Sequence, residues 1–295
     1  MRTLLSKIQY KSFEPGEFTD ISSRNYAETI RLIEAFPWSS ERENIVIDLT
    51  NPSVTLEGTA DFLKLALYFN GKWVLYYLNS ENILFAKTCL VLAEAYPYIR
   101  KFFDEDDFPV SDFKKQPNRS KSNRLHFVTQ DFRYTVTPRR IRQFLLSNSG
   151  LSVSLFVIIN IFYLSDAGQS LHFWGILLMI GLLILFGGGI NLLLFLNYYW
   201  FSRNRILVLS QGNDQFMYGP VSDPVAYDKK QISEINVVGF TYIRSPILRF
   251  YVLWIRFHDQ QKIQISGLML DQTAMLRKFE GLPITEEDAL PIMHK

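Results

Sequence analysis

The stretch LLMIGLLILFGGGINLLLFLNYYWF, from Leu177 to Phe201, carries no charge, and a run of that length needs an apolar environment. A bilayer core of about 30 Å takes roughly 20 mostly apolar helical residues. The run therefore predicts a membrane-spanning helix over about 171–201, long enough to require tilt or a break. A second segment, about 144–164, is weaker because Ser147, Asn148, Ser149, Ser152 and Ser154 crowd its entry half. Between Gln143 and Ser202 the only formal charge is Asp166, so the two segments together predict a transmembrane helical hairpin over 144–201.

The details of the hairpin follow from its polar and small residues. Gly187, Gly188 and Gly189 lower helix propensity and form a notch for close backbone approach, against the first helix or a second copy of the chain. Asn160 and Asn191 are placed to hydrogen-bond between the helices. Arg133, Arg139, Arg140 and Arg142 precede the first segment and Arg203 and Arg205 follow the second, whereas the connector SDAGQSLH has no lysine or arginine. The positive-inside rule then predicts a two-pass protein with both termini cytoplasmic. Tyr198, Tyr199 and Trp200 would anchor the inner interface and Trp174 the outer one, with membrane lipid as a partner. The first residues, MRTLLSKIQYKSFEPGE, lack the pattern of a signal peptide.

Residues 1–113 read as alternating helix and strand. SSRNYAETIRLIEAF has helical spacing, ENIVIDLT is a β-rich run ended by Asn51-Pro52, EGTADFLKLALYF reads as a helix, GKWVLYYLN as a strand, and ENILFAKTCLVLAEAYPYI as a further helix. This order resembles the STAS domain of anti-sigma-factor antagonists, which implies an α/β fold with a partly parallel sheet. The resemblance places a partner-binding turn after the IVIDLT strand, around Asp48, Ser53, Thr55 and Glu57, with Glu57 at the position of the family's phosphorylated serine. The basic stretch 114–124, KKQPNRSKSNR, reads as a linker.

Beyond Arg203 the hydrophobic period changes to two. RILVLSQ, QFMYG, PVAYDKKQISEINVVGF, RFYVLWIRFHD and KIQISGLML are strand-like, and DQTAMLRKFEGLP reads as a capped helix. The alternating segment RLHFVTQDFRYTVTPRR, read as a strand over 125–140, adds a first strand ahead of the hairpin. A strand, two membrane helices, meander strands over 203–283 and a closing helix resemble the bacterial pleckstrin-homology-like (PH-like) membrane proteins of the YcxB type. The resemblance implies a small β-barrel with a terminal helix, a tail at 284–295, and the bacterial inner membrane as location.

The sequence excludes more chemistry than it offers. A net charge of +2 without a concentrated basic face argues against nucleic acid. His126, His172, His258 and His294 lack metal-ligand spacing, Cys89 sits in an apolar run, and no phosphate loop, nucleophile elbow or zinc motif is present. No catalytic residue, metal or cofactor is therefore assigned. The expected function is a non-enzymatic inner-membrane adaptor that presents both modules to an unknown protein partner in the cytoplasm, with self-association through the glycine notch. Two further readings are a lipid-handling or transport accessory subunit that binds anionic lipid, and an enzyme with a cleft between the cytoplasmic domains.

Overall fold

The computed structural model describes residues 2–43, 45, 48–105, 108–117, 122–147, 190–239 and 250–294. The chain divides into two units, Met1–Asp131 with Ser210–Asn213, and Phe132–Leu209 with Asp214–Lys295.

The first unit is built on one seven-stranded sheet: β1 (Leu4–Gln9), β2 (Thr19–Arg24), β3 (Ser53–Glu57), β4 (Phe62–Leu67), β5 (Trp73–Leu78), β6 (Leu84–Cys89) and β7 (Lys114–Lys115). The order is β2-β1-β3-β4-β5-β6-β7, and every pair is antiparallel. This corrects the expected α/β, partly parallel STAS-like fold. EGTADFLKLALYF is a hairpin rather than a helix, turning at Gly58, whose N–H donates to the Asp61 carbonyl at 2.9 Å. The physical reason is double coverage. Leu63, Leu65 and Leu67 join one hydrophobic core while Phe62 and Ala66 join another on the opposite face, so β4 is apolar on both sides and loses the alternation that marks a strand. Likewise ENILFAKTCLVLAEAYPYI divides into β6, a short 3-10 turn and a helix.

Helix α1 (Tyr26–Ala35) follows from its own ends. The Asn25 side chain accepts from the Glu28 N–H at 3.0 Å, and the Glu28 carboxylate accepts from the Asn25 N–H at 2.9 Å, a reciprocal cap. After the short helix α2 (Trp38–Glu41), α3 (Tyr96–Asp104) adds Ile99, Phe102 and Phe103 to the core that also takes Ile33 and Phe36. The short helix α4 (Ser122–Leu125) leads into Phe127, which covers the other face. Close packing there needs Gly16: its φ is +79°, and a Cβ would stand 2.8 Å from the Leu125 oxygen and 2.9 Å from the Val128 oxygen. Gly16→Ala is expected to cost about 1–2 kcal/mol through overpacking and a strained left-handed backbone, read as a lower urea midpoint of the first unit.

The second unit contains two four-stranded sheets. The first orders β11-β10-β9-β8, from β8 (Arg133–Tyr134), β9 (Arg205–Val208), β10 (Gln215–Pro220) and β11 (Val225–Asp228). The second orders β14-β13-β12-β15, from β12 (Ile232–Gly239), β13 (Tyr251–Phe257), β14 (Lys262–Ser266) and β15 (Ile284–Asp288). Strand β15 pairs parallel with β12, so part of the segment read as a tail completes a sheet. Phe216, Tyr218, Ile235, Leu253 and Ile265 fill the core, closed by Met275 and Phe279 at the helix Gln272–Lys278. The Tyr218 hydroxyl donates to the Gln264 carbonyl, joining the two sheets.

Two more helices belong to this unit, α5 (Pro138–Ser147) and α6 (Ile190–Ser202), and the helix Gln272–Lys278 is α7. Among the described residues no helix is long and apolar enough to cross a membrane. That finding overturns the transmembrane hairpin and, with it, the two-pass inner-membrane placement. Helix α6, the described part of the second segment, has 13 residues, about 20 Å at 1.5 Å per residue. One side of it packs on the sheet through Leu194 and Tyr198, against Phe250, Val252, Leu268 and Met293. Asn160, Trp174, Gly187, Gly188 and Gly189 lie outside the described residues, as does the side chain of Asn191.

Candidate functional site

In the first unit, the register places Lys7 opposite Thr55, and Thr55 opposite Lys64, across β1, β3 and β4. One row of the sheet therefore carries two lysines flanking a threonine, all three buried. Lys64 Nζ donates to Gln9 Oε1 at 2.7 Å, to the Leu49 carbonyl at 2.7 Å and to the His126 carbonyl at 3.0 Å. Its three protons are thus matched by three acceptors, none of them a carboxylate. Burial pushes its pKa down to about 7, with the neighbouring Lys7 charge adding to the effect and Asp48 opposing it. Lys7 Nζ instead meets the Glu57 carboxylate at 2.8 Å, and the Phe18 ring lies 4.6 Å from it. Its pKa is lowered by burial, against the pull of Glu57.

The four residues assigned from sequence to the turn are distributed around this layer. Asp48 accepts from the Leu49 N–H at 2.6 Å and the Thr50 hydroxyl at 2.9 Å, closing a local turn. Ser53 and Thr55 are fully buried in β3, and among the described residues their hydroxyls have no hydrogen-bond partner. Glu57 ends β3 in the ion pair with Lys7. Of these four, Asp48 and Glu57 keep solvent exposure. Sequence reasoning missed Lys7, Gln9 and Lys64. The available signal was FLKLAL, in which one lysine interrupts an apolar run; a lysine fully buried in a strand must have its donors satisfied.

In the second unit, a cavity of about 310 Å³ opens on the outer face of the β14-β13-β12-β15 sheet, over Trp254. Asn236 donates to Glu287 at 2.6 Å, and Arg256 pairs with Glu234 at 3.1 Å. One wall is the segment 289–294, fastened to α6 by three hydrogen bonds. Asn197 donates to the Met293 carbonyl at 3.1 Å and accepts from the Met293 N–H at 2.9 Å, and the Tyr198 hydroxyl donates to the Pro291 carbonyl at 3.0 Å.

The aromatic residues assigned to a membrane anchor differ in environment. Tyr198 is fully buried and its hydroxyl is held well above the ordinary tyrosine pKa by that burial. Tyr199 is half-buried, stacked on Phe195 with ring centres 6.2 Å apart. Trp200 is 62% exposed, with the Arg203 guanidinium 4.1 Å from its ring centre. The Cys89 thiol is buried, and burial pushes its pKa up to about 11. Among the described residues no group of three or more His, Cys, Asp or Glu side chains is placed to hold a metal.

Comparisons with curated proteins and with solved structures give no match. The family model described as a PH domain matches residues 133–278, a stretch that runs from β8 through the meander strands to the end of α7, and residues 133–278 are accordingly a PH-like domain.

Proposed function

We propose that the chain is a non-enzymatic adaptor whose PH-like unit rests on an anionic lipid surface while the first unit engages a protein partner. A PH-like domain is commonly a lipid- or protein-binding module, and one observation favours lipid. Apart from Asn191, Asn197 and Ser202, helix α6 is apolar, but the sheet covers only the side of Leu194 and Tyr198. Leu192, Leu193, Leu196 and Trp200 remain exposed on it. An all-round apolar helix needs an apolar neighbour on its open side as well.

The charges near this row suit anionic headgroups. Arg203 sits against Trp200 at the end of α6, and Arg139 and Arg142 are exposed on α5. Val136, just ahead of α5, packs in the same cluster as Leu194 and Tyr198. An indole at the interface with arginine above it is the arrangement expected where one end is apolar and the other wet. The order of strand, intervening chain, meander strands and closing helix supports kinship with the YcxB-type proteins.

Flotation of the full chain with phosphatidylglycerol vesicles tests this reading. Binding is expected to fall at least tenfold in Leu193→Ser/Trp200→Ser and to weaken with salt in the parent. Flotation that is equal in the variant would sink the lipid reading and leave a protein as the partner of this helix face.

A further inference from the structure

We infer that segment 122–130 is a pH-gated latch over the lysine row of the first unit, released when Lys64 takes up a proton. Neither the lipid reading nor the adaptor reading gives this segment a role. Among the described residues it pairs with no strand of the sheet, so it can lift while the ladder stays intact. The Gln130 N–H donates to the Gly16 carbonyl at 2.9 Å, and the Arg124 guanidinium donates to Asn82 Oδ1 at 3.3 Å. Two further ties come from the buried lysines: Lys64 Nζ donates to the His126 carbonyl at 3.0 Å, and Lys7 Nζ to Thr129 Oγ1 at 3.4 Å. Phe127 is the apolar part of the cover, packed with Phe62, Tyr76 and Leu84.

Every element around Lys64 bears on its charge. Strand β1 brings the Lys7 ammonium and the neutral Gln9 amide, and β3 brings Thr55 and Glu57, whose carboxylate is held by Lys7 at 2.8 Å. Strand β5 places Tyr76 opposite Lys64, and burial pushes that hydroxyl up to about 12, so it stays neutral at ordinary pH. The turn before β3 brings Asp48, whose charge favours the ammonium, but that side chain is exposed and closes its own turn. From the latch comes His126, its pKa held below the ordinary 6.5 by burial and by Lys64. The Phe127 ring lies 5.5 Å from Lys64 Nζ and the Phe18 ring, just ahead of β2, 5.8 Å. An ammonium at this place meets three neutral acceptors and a like charge, which is costly in a site closed to water.

Lifting the latch admits water and returns Lys64 to its ordinary 10.5, from about 7 in the closed state. Between those values the open state binds one proton more than the closed state. Each unit fall in pH therefore favours opening by up to tenfold, and the effect levels off below about 7. Lys7, also lowered by burial, acts in the same direction. Below about 6.5 His126 adds a second rise, because opening frees its imidazole to take a proton.

Amide hydrogen exchange of the full chain, divided at each pH by the intrinsic rate, tests the latch. The Gln130 amide is expected to be at least tenfold less protected than the amides of β4 and β5, because the latch opens without the sheet. Its protection should nevertheless fall at least tenfold from pH 9 to pH 7, and less than threefold in Lys64→Met. A Gln130 protection that does not change with pH in the parent overturns the inference, whether or not the variant folds. Protection equal to that of β4 and β5 overturns it as well, since the segment would then open only with the whole unit.

Discussion

The stability of the first unit is expected to rise with pH between about 7 and 9.5. Lys64 ordinarily holds its proton up to 10.5, but burial lowers its folded-state value to about 7. Between those two values the unfolded chain binds one proton more than the folded chain, so raising the pH favours the fold by about 1.4 kcal/mol per unit. Below pH 7 the side chain is charged in both states and the burial penalty is fully present. Lys7, also lowered by burial, acts in the same direction. Above about pH 10 the sign reverses, because Tyr76 is pushed up to about 12 by burial and the unfolded chain then releases a proton that the fold retains. Pulse proteolysis in urea, read on fragments of the first unit, should show the midpoint climbing from pH 7 to 9 in the parent. The climb should be much reduced in Lys64→Met; a flat or falling profile in the parent would remove the buried charge from the account.

Glu57→Gln should destabilise the same unit by about 2–4 kcal/mol, because it strands the Lys7 ammonium without a counter-charge. The figure lies below that for a fully enclosed pair because the Glu57 side chain is 34% exposed and solvent screens part of the loss. Lys7 itself has no exposure, so the pair is asymmetric. Removing the lysine with Lys7→Met leaves a carboxylate that water can reach, and should cost less than Glu57→Gln. The double variant should recover at least half of the Glu57→Gln loss. A double-mutant cycle in urea measures all three; additive losses would show that the two side chains do not act as a pair.

Strand β10 was legible because one face meets the core and the other water: exposure alternates over Gln215, Phe216, Met217 and Tyr218. Strand β13 was legible instead from its aromatic and β-branched residues, since six apolar residues run on from Phe250 to Ile255 and pack into cores on both faces. Helix α7 was legible from its Asp271 cap, whose side chain accepts from the Ala274 N–H at 3.0 Å. The first unit was not legible at the level of the sheet: GKWVLYYLN reads as a strand and is β5, but β4 is covered on both faces and its apolar residues run on without a period. Strand β15 was hidden for the opposite reason: ITEED is acidic and exposed apart from its first residue, and parallel pairing with β12 alone defines it. At the candidate sites, sequence gave Glu57 but not Lys7, because an ion pair between residues 50 apart in the chain has no local signature. Trp254 and Asn236 were equally silent, being ordinary outward positions until β15 and the segment 289–294 enclose them.

The register Arg133↔Val208 joins β8 to β9 across the whole stretch between α5 and α6. Strand β8 has only two residues, and the Leu209 N–H extends the pairing by donating to the Phe132 carbonyl at 3.0 Å. This edge of the PH-like sheet is therefore held by partners far apart in sequence, and such contacts of high order are the ones that slow folding.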